Sequence, residues 1–159
     1  MKEILDILEK NANTPVEDIA AMTGRDPGEV RRIIREFEEK KVIAGYSAMV
    51  NWDKTDREWV VALIEVKVTP QRDRGFDSIA ERIYKYNQVK ACYLMSGSFD
   101  LTVIVEGTNI KEVALFVSEK LSTIEGVTST STHFVLKKYK DKNILFDTTE
   151  SDDREAIVL

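Results

Sequence analysis

The sequence holds one cysteine, one histidine, three prolines and no long apolar run, and each shortage removes a class of function. A single thiol, Cys92, can neither close a disulfide within the chain nor supply a cysteine-rich zinc site, so it reads as a small core residue. A single imidazole, His133, cannot build a multi-histidine metal cluster or a relay with a second histidine of the same chain. No window reaches the roughly 18 consecutive apolar residues that a membrane-spanning helix needs. The first residues, MKEILDILEKN, carry acids where a secretory leader has a basic patch and an apolar core. A cytoplasmic protein with no metal, no cofactor and no membrane partner is expected.

Positive charge is also in short supply, with a net charge of −5, and this weighs against nucleic acid because affinity for phosphate rests on Lys and Arg. Its distribution changes that reading. The stretch from Asp147 to the end carries −4, leaving −1 on residues 1–146, so a local basic face is available. With 159 residues and 43% hydrophobic side chains, the chain can form one ordinary domain or two small ones with real cores.

The first third reads as three helices. Ile4, Leu5, Ile7 and Leu8 fall at helical spacing among charged residues. Thr14-Pro15-Val16-Glu17 has the pattern of a capping box, opening a second helix with Val16, Ile19, Ala20 and Met22 inward and Gly24 at its end. Asp26-Pro27-Gly28-Glu29 repeats the signal and opens a third helix to about Lys40, with Val30, Ile33, Ile34 and Phe37 facing a core. Two helices around a tight glycine-containing turn, supported by a third, make a helix-turn-helix pattern. At about 100° per residue, the outer face of the third helix presents Gly28, Arg32 and Arg35, with Arg31 beside them and Arg25 in the preceding turn. Those five residues are the candidate DNA contacts; the competing reading is an ordinary solvated surface. Residues 1–50 contain eight basic and ten acidic side chains, so one such unit binds DNA weakly and useful affinity needs two or more on one duplex.

Residues 42–51, VIAGYSAMVN, resemble a small wing, and the polar residues 53–58 read as a linker. Beyond it come a strand over 59–69 stopped by Pro70, a helix over 75–86, and an apolar hairpin over 90–107 turning at Ser96-Gly97-Ser98. A helix capped by Asn109 and running to Leu121 follows, then a last strand over 127–138. The order β-α-β-β-α-β is the ferredoxin-like arrangement, a four-stranded antiparallel sheet with two helices on one face. Both hairpin strands are expected in the middle of that sheet. The uncovered sheet face calls for a second copy of the chain. The fold class is therefore α+β, divided as 1–52 for the winged helix-turn-helix, 53–58 for the linker, 59–140 for the ferredoxin-like domain and 141–159 for an acidic extension. That extension reads either as disordered or as a strand or hairpin lying on this or a neighbouring subunit.

The third-helix stretch VRRIIREFEEKKVIAGY and the turn SGSFD, at their separation, make residues 1 to about 140 resemble the Lrp/AsnC, or feast/famine, family of regulators. Their patterns are V-x-x-R-I-x-x-L-E-x-x-G-V-I-x-G-Y and S-G-x-[YF]-D; Lys41 stands where the first has glycine. The resemblance implies a DNA-binding transcriptional regulator that dimerises, often assembles into octamers, and senses an amino acid or related metabolite at subunit interfaces. It places an effector loop at Gly97, Ser98, Phe99 and Asp100, completed by Thr132, His133 and Phe134 of a neighbouring subunit. Loop N–H groups would hold a carboxylate and Asp100 an ammonium. Without the resemblance Asp100 reads as a turn residue, and His133 equally as an interface or a core residue. Two other functions share the architecture: an enzyme like the siroheme decarboxylases, and a DNA-packing protein of low sequence preference. A non-enzyme is the expectation here.

Overall fold

The computed structural model describes residues 1–69 and 75–146. Pro70, expected to stop a strand, and the acidic tail from Asp147 lie outside the described residues. The chain divides into two compact units, Met1–Val50 with Asp141–Leu145, and Asn51–Lys140 with Phe146.

In the first unit, α1 (Lys2–Lys10), α2 (Val16–Thr23) and α3 (Pro27–Glu39) bury Ile4, Ile19, Ala20, Val30 and Ile33 against one another. Each large aliphatic side chain so buried contributes about 1.5–3 kcal/mol. Ile7, Leu8, Val16, Ile34 and Phe37 pack around that nucleus. Met22, expected inward, is 69% exposed, because the narrow buried stripe of this short helix is filled by Ile19 and Ala20. Gly24 ends α2 at φ 64°, the left-handed conformation that glycine adopts without a Cβ clash.

Only the second of the two expected caps forms. Asp26 accepts hydrogen bonds from the N–H groups of Gly28 (2.8 Å) and Glu29 (3.2 Å). Thr14 instead donates its hydroxyl to the carbonyl of Asn11 at 2.7 Å, closing the turn after α1, and α2 starts without a side-chain cap. Residues 42–50, which follow α3, carry no regular strand.

The second unit is an antiparallel sheet in the order β2-β3-β1-β4, formed by β1 (Val60–Val68), β2 (Val89–Leu94), β3 (Leu101–Gly107) and β4 (Val127–Phe134). Two helices, α4 (Asp77–Tyr84) and α5 (Ile110–Phe116), contribute Ile79, Ile83, Val113 and Phe116 to one core with Ile64, Val66, Val103 and Val105 of the strands. That helix-sheet arrangement is the expected ferredoxin-like fold. Gly126 makes its close packing possible, since a Cβ there would stand 2.7 Å from Cδ1 of Ile79.

One placement differs from expectation. The hairpin is not the centre of the sheet: β3 and β1 are central, while β2 is an edge strand. Exposure follows, with Tyr93 at 56% and Leu94 at 60%, against a β3 that is buried at five of its seven positions. Apolar composition alone does not separate an edge strand from a central one, because the edge is fixed by long-range pairing. After Phe116 the α5 helix widens into a π-helical turn over Val117–Leu121, and the strand expected to reach residue 138 ends at Phe134. A short hairpin follows, β5 (Lys140–Asp141) with β6 (Ile144–Leu145), turning through Lys142 and Asn143, both at positive φ.

Candidate DNA-reading and effector-binding sites

On α3 the candidate arginines separate into two kinds. Arg25 donates from Nη1 to Glu29 Oε1 at 2.7 Å, and its buried Nε has no hydrogen-bond partner among the described residues. Arg31 is paired with Glu17 of α2. Arg32 and Arg35 are exposed and make no hydrogen bond or ion pair among the described residues. Their positions bring them together on the outer helix face, opposite buried Val30 and Ile33. Gly28 shares that face, but its N–H is already taken by Asp26, whose carboxylate also disfavours a phosphate at this helix end. A Cβ at Gly28 would stand 2.8 Å from that carboxylate oxygen, so glycine here serves the cap.

Toward the C-terminal end of α3 the charge reverses. Glu36 bonds Lys40 at 2.5 Å, and this contact, with a smaller contribution from Arg32, holds its carboxyl below the usual range. Glu38 accepts from the Tyr46 hydroxyl at 2.9 Å, and partial desolvation of this largely exposed phenol together with the carboxylate raises its pKa. Carboxylates at that end disfavour phosphate, which leaves the middle of α3 as the candidate DNA-contacting face.

The end of α3 also holds Lys41 in a backbone conformation that lysine disfavours. Lys41 adopts φ 56°, its N–H bonds the carbonyl of Glu38 at 3.1 Å, and the N–H of Val42 bonds that of Phe37 at 2.8 Å. This is a Schellman termination with lysine at the left-handed position that glycine favours.

In the second unit, Asp100 is a latch between strands. Its Oδ2 accepts from the N–H of Val68 at 2.8 Å, and its own N–H bonds the carbonyl of Val66 at 3.0 Å. The bond lies past Val66–Leu101, the last β1–β3 pair, and gives the N–H of Val68 an acceptor where the β3 ladder has ended. Oδ1 makes no hydrogen bond among the described residues. Gly97 and Ser98 are exposed and Phe99 half-buried in the same turn.

The other candidate positions do not share one surface. Thr132 and Phe134 lie opposite Ile64 and Ala62, on the helix-covered face, while His133 lies opposite Leu63 on the open face. Nε2 of His133 stands 3.3 Å from Ser131 Oγ and 3.6 Å from Glu65 Oε1. Nor does one chain bring the loop to these residues: Asp100 bonds Val66 and Val68, whose β4 partners are Thr130 and Val127.

The polar stretch 53–58 belongs to the second unit. Asn51 caps a short 3₁₀ turn over Trp52–Lys54 and donates from Nδ2 to the carbonyl of Phe146 at 3.0 Å; Thr55 donates its hydroxyl to the carbonyl of Trp52 at 2.8 Å. The guanidinium of Arg57 stacks 4.6 Å from the ring centre of Trp52 and 4.1 Å from that of Trp59. The signal in the sequence is the pair of tryptophans flanking the polar residues.

Known proteins agree with this construction. A winged helix-turn-helix DNA-binding family model matches residues 1–44, and the Lrp/AsnC ligand binding domain matches residues 61–145. The "Uncharacterized HTH-type transcriptional regulator YugG" of Bacillus subtilis is 51% identical over 98% of this chain and 94% of its own length. The regulator LrpA of Pyrococcus abyssi is 30% identical over 87% of this chain and 96% of its own. A transcriptional regulator of Neisseria meningitidis, solved as a complex with L-Met, superposes with a TM-score of 0.71 at 22% identity, covering 87% of this chain and 89% of the other. A helix-turn-helix with two free arginines on its outer helix, joined to a ferredoxin-like ligand-binding domain, therefore places the chain in the Lrp/AsnC family of DNA-binding transcriptional regulators.

Proposed function

We propose that this regulator senses an amino acid or a close relative, that the sensing site is completed where two copies of the chain meet, and that it works in the cytoplasm as a dimer or a larger assembly such as an octamer. The observation that carries this reading is the separation just described. The loop of Gly97–Asp100 and the β4 residue His133 lie at different places in one chain, so a second copy is what supplies the missing wall. The open sheet face supports the pairing, because it carries Tyr93, Ile104 and Leu63 beside Glu65 and His133 without helix cover. The L-Met bound to the Neisseria relative supports the ligand class.

Chemically, the loop suits a zwitterion. Asp100 keeps Oδ1 for an ammonium while Oδ2 holds Val68, so ligand binding bears directly on the end of β1. The N–H groups of the exposed Gly97 and Ser98 make no hydrogen bond among the described residues and suit the carboxylate. Thermal-shift measurement against the twenty L-amino acids, beside sizing chromatography, tests the reading. A raised melting temperature with at least one of them, in a protein eluting as a dimer or larger, supports it; no shift with any, or a monomer, overturns it.

A further inference from the structure

Between Trp59, Val60 and the β3–α5 turn lies an open cleft of about 940 Å³, with Arg57, Thr108, Asn109 and Lys111 on its walls. It sits at one end of the two central strands. At their other end is the Asp100 latch. β1 starts beside the cleft at Val60, paired to Gly107, and ends at Val66–Val68 on Asp100; β3 runs back from Leu101 to Gly107. Seven residues of β3 at about 3.4 Å each put roughly 24 Å of continuous ladder between effector loop and cleft.

We propose that Arg57 is a coupling residue: stacked on Trp52 and Trp59, it clamps residues 51–58 to the ligand-binding unit, and movement of the Asp100 latch releases that clamp through β1 and β3. This extends the proposed sensing function by naming where its signal leaves the unit. Two observations leave the clamp able to open. The guanidinium is exposed and held by ring faces alone, since its N–H groups make no hydrogen bond among the described residues. Trp59 Nε1 is buried without a partner among the described residues, a cost that opening to water relieves.

Trp52 and Trp59 are the only tryptophans of the chain, so its indole fluorescence reports on this clamp alone. The test compares acrylamide quenching in the full-length protein, Arg57→Ala, Asp100→Ala and the double variant, each first shown to elute and melt as a folded protein. Arg57→Ala is expected to raise quenching, Asp100→Ala to raise it from the far end of the ladder, and the double variant to add nothing to Arg57→Ala. Unchanged quenching in Asp100→Ala, or additive effects, overturns the coupling. Should Asp100→Ala fail to fold, exchange of the Val68 amide decides instead: coupling is reciprocal, so Arg57→Ala must speed it, and an unchanged rate overturns the proposal. A thermal-shift measurement separates the two readings. No rise in the wild-type melting temperature with any of the twenty L-amino acids, with quenching coupled as expected, would overturn the sensing function while leaving the clamp supported.

Discussion

On the candidate DNA-reading face of α3, single side chains divide into exposed arginines and arginines paired with carboxylates. Because Arg32 and Arg35 are free while Arg31 is held by Glu17, the double variant Arg32→Ala/Arg35→Ala should lower duplex affinity and reduce the slope of log affinity against log salt by about two. Arg31→Ala should cost less in a salt-controlled gel shift and more in thermal stability. Lys41→Gly should stabilise the first unit by about 1 kcal/mol in denaturant melts, since glycine removes the left-handed penalty at φ 56°. In the ligand-binding unit, Asp100→Asn is a cleaner probe than alanine, because an amide oxygen can still accept from Val68 while the charge is gone. Some of this was legible in the sequence and some was not. The arginine face follows from helical period, and the two-residue period of a strand already separates His133 from Thr132 and Phe134. The pairing of Arg31 with Glu17 and of Asp100 with Val68 spans 14 and 32 positions, and no local pattern carries it.

Elements begin and end where side chains satisfy orphan backbone groups, and those groups are the next scale of prediction. Asp26 does this for α3; Asp26→Ala should cost about 1 kcal/mol in stability. For α5 the arrangement is reciprocal. Asn109 accepts from the N–H of Glu112 at 2.8 Å, and Glu112 Oε2 accepts from both the N–H and the hydroxyl of Thr108 at 2.7 Å. Those bonds hold the Glu112 carboxyl below its ordinary value of 4.5. A lowered folded-state value means stabilisation that is present above the unfolded value and lost as pH falls through the folded one. Acid titration should therefore loosen the start of α5 below about pH 4.5, and Glu112→Gln should remove that pH dependence in amide exchange at residues 110–113. The Asp-Pro-Gly-Glu sequence announced its cap correctly, whereas Thr-Pro-Val-Glu did not, because Thr14 had a nearer carbonyl at Asn11. A motif names available partners; competition among them decides which bond forms.

At the scale of the whole molecule, the β-α-β-β-α-β order was readable from strand and helix periods, but the edge position of β2 was not, since it depends on β1 pairing both β3 and β4. That sheet order leaves an open face and divides the candidate effector positions, and under the proposed function a second copy complements both. DNA binding, assembly and ligand response should then be linked properties of one protein. Their most direct test is an equilibrium titration of a selected duplex with the full-length protein and with Asp100→Asn, each with and without the amino acid that raises the melting temperature, with oligomer mass measured in the same solutions. A dimeric or larger wild-type protein whose DNA affinity changes with the amino acid, and an Asp100→Asn protein of equal mass and basal affinity that does not respond, is the expected result. A ligand response of the same size in Asp100→Asn would contradict it.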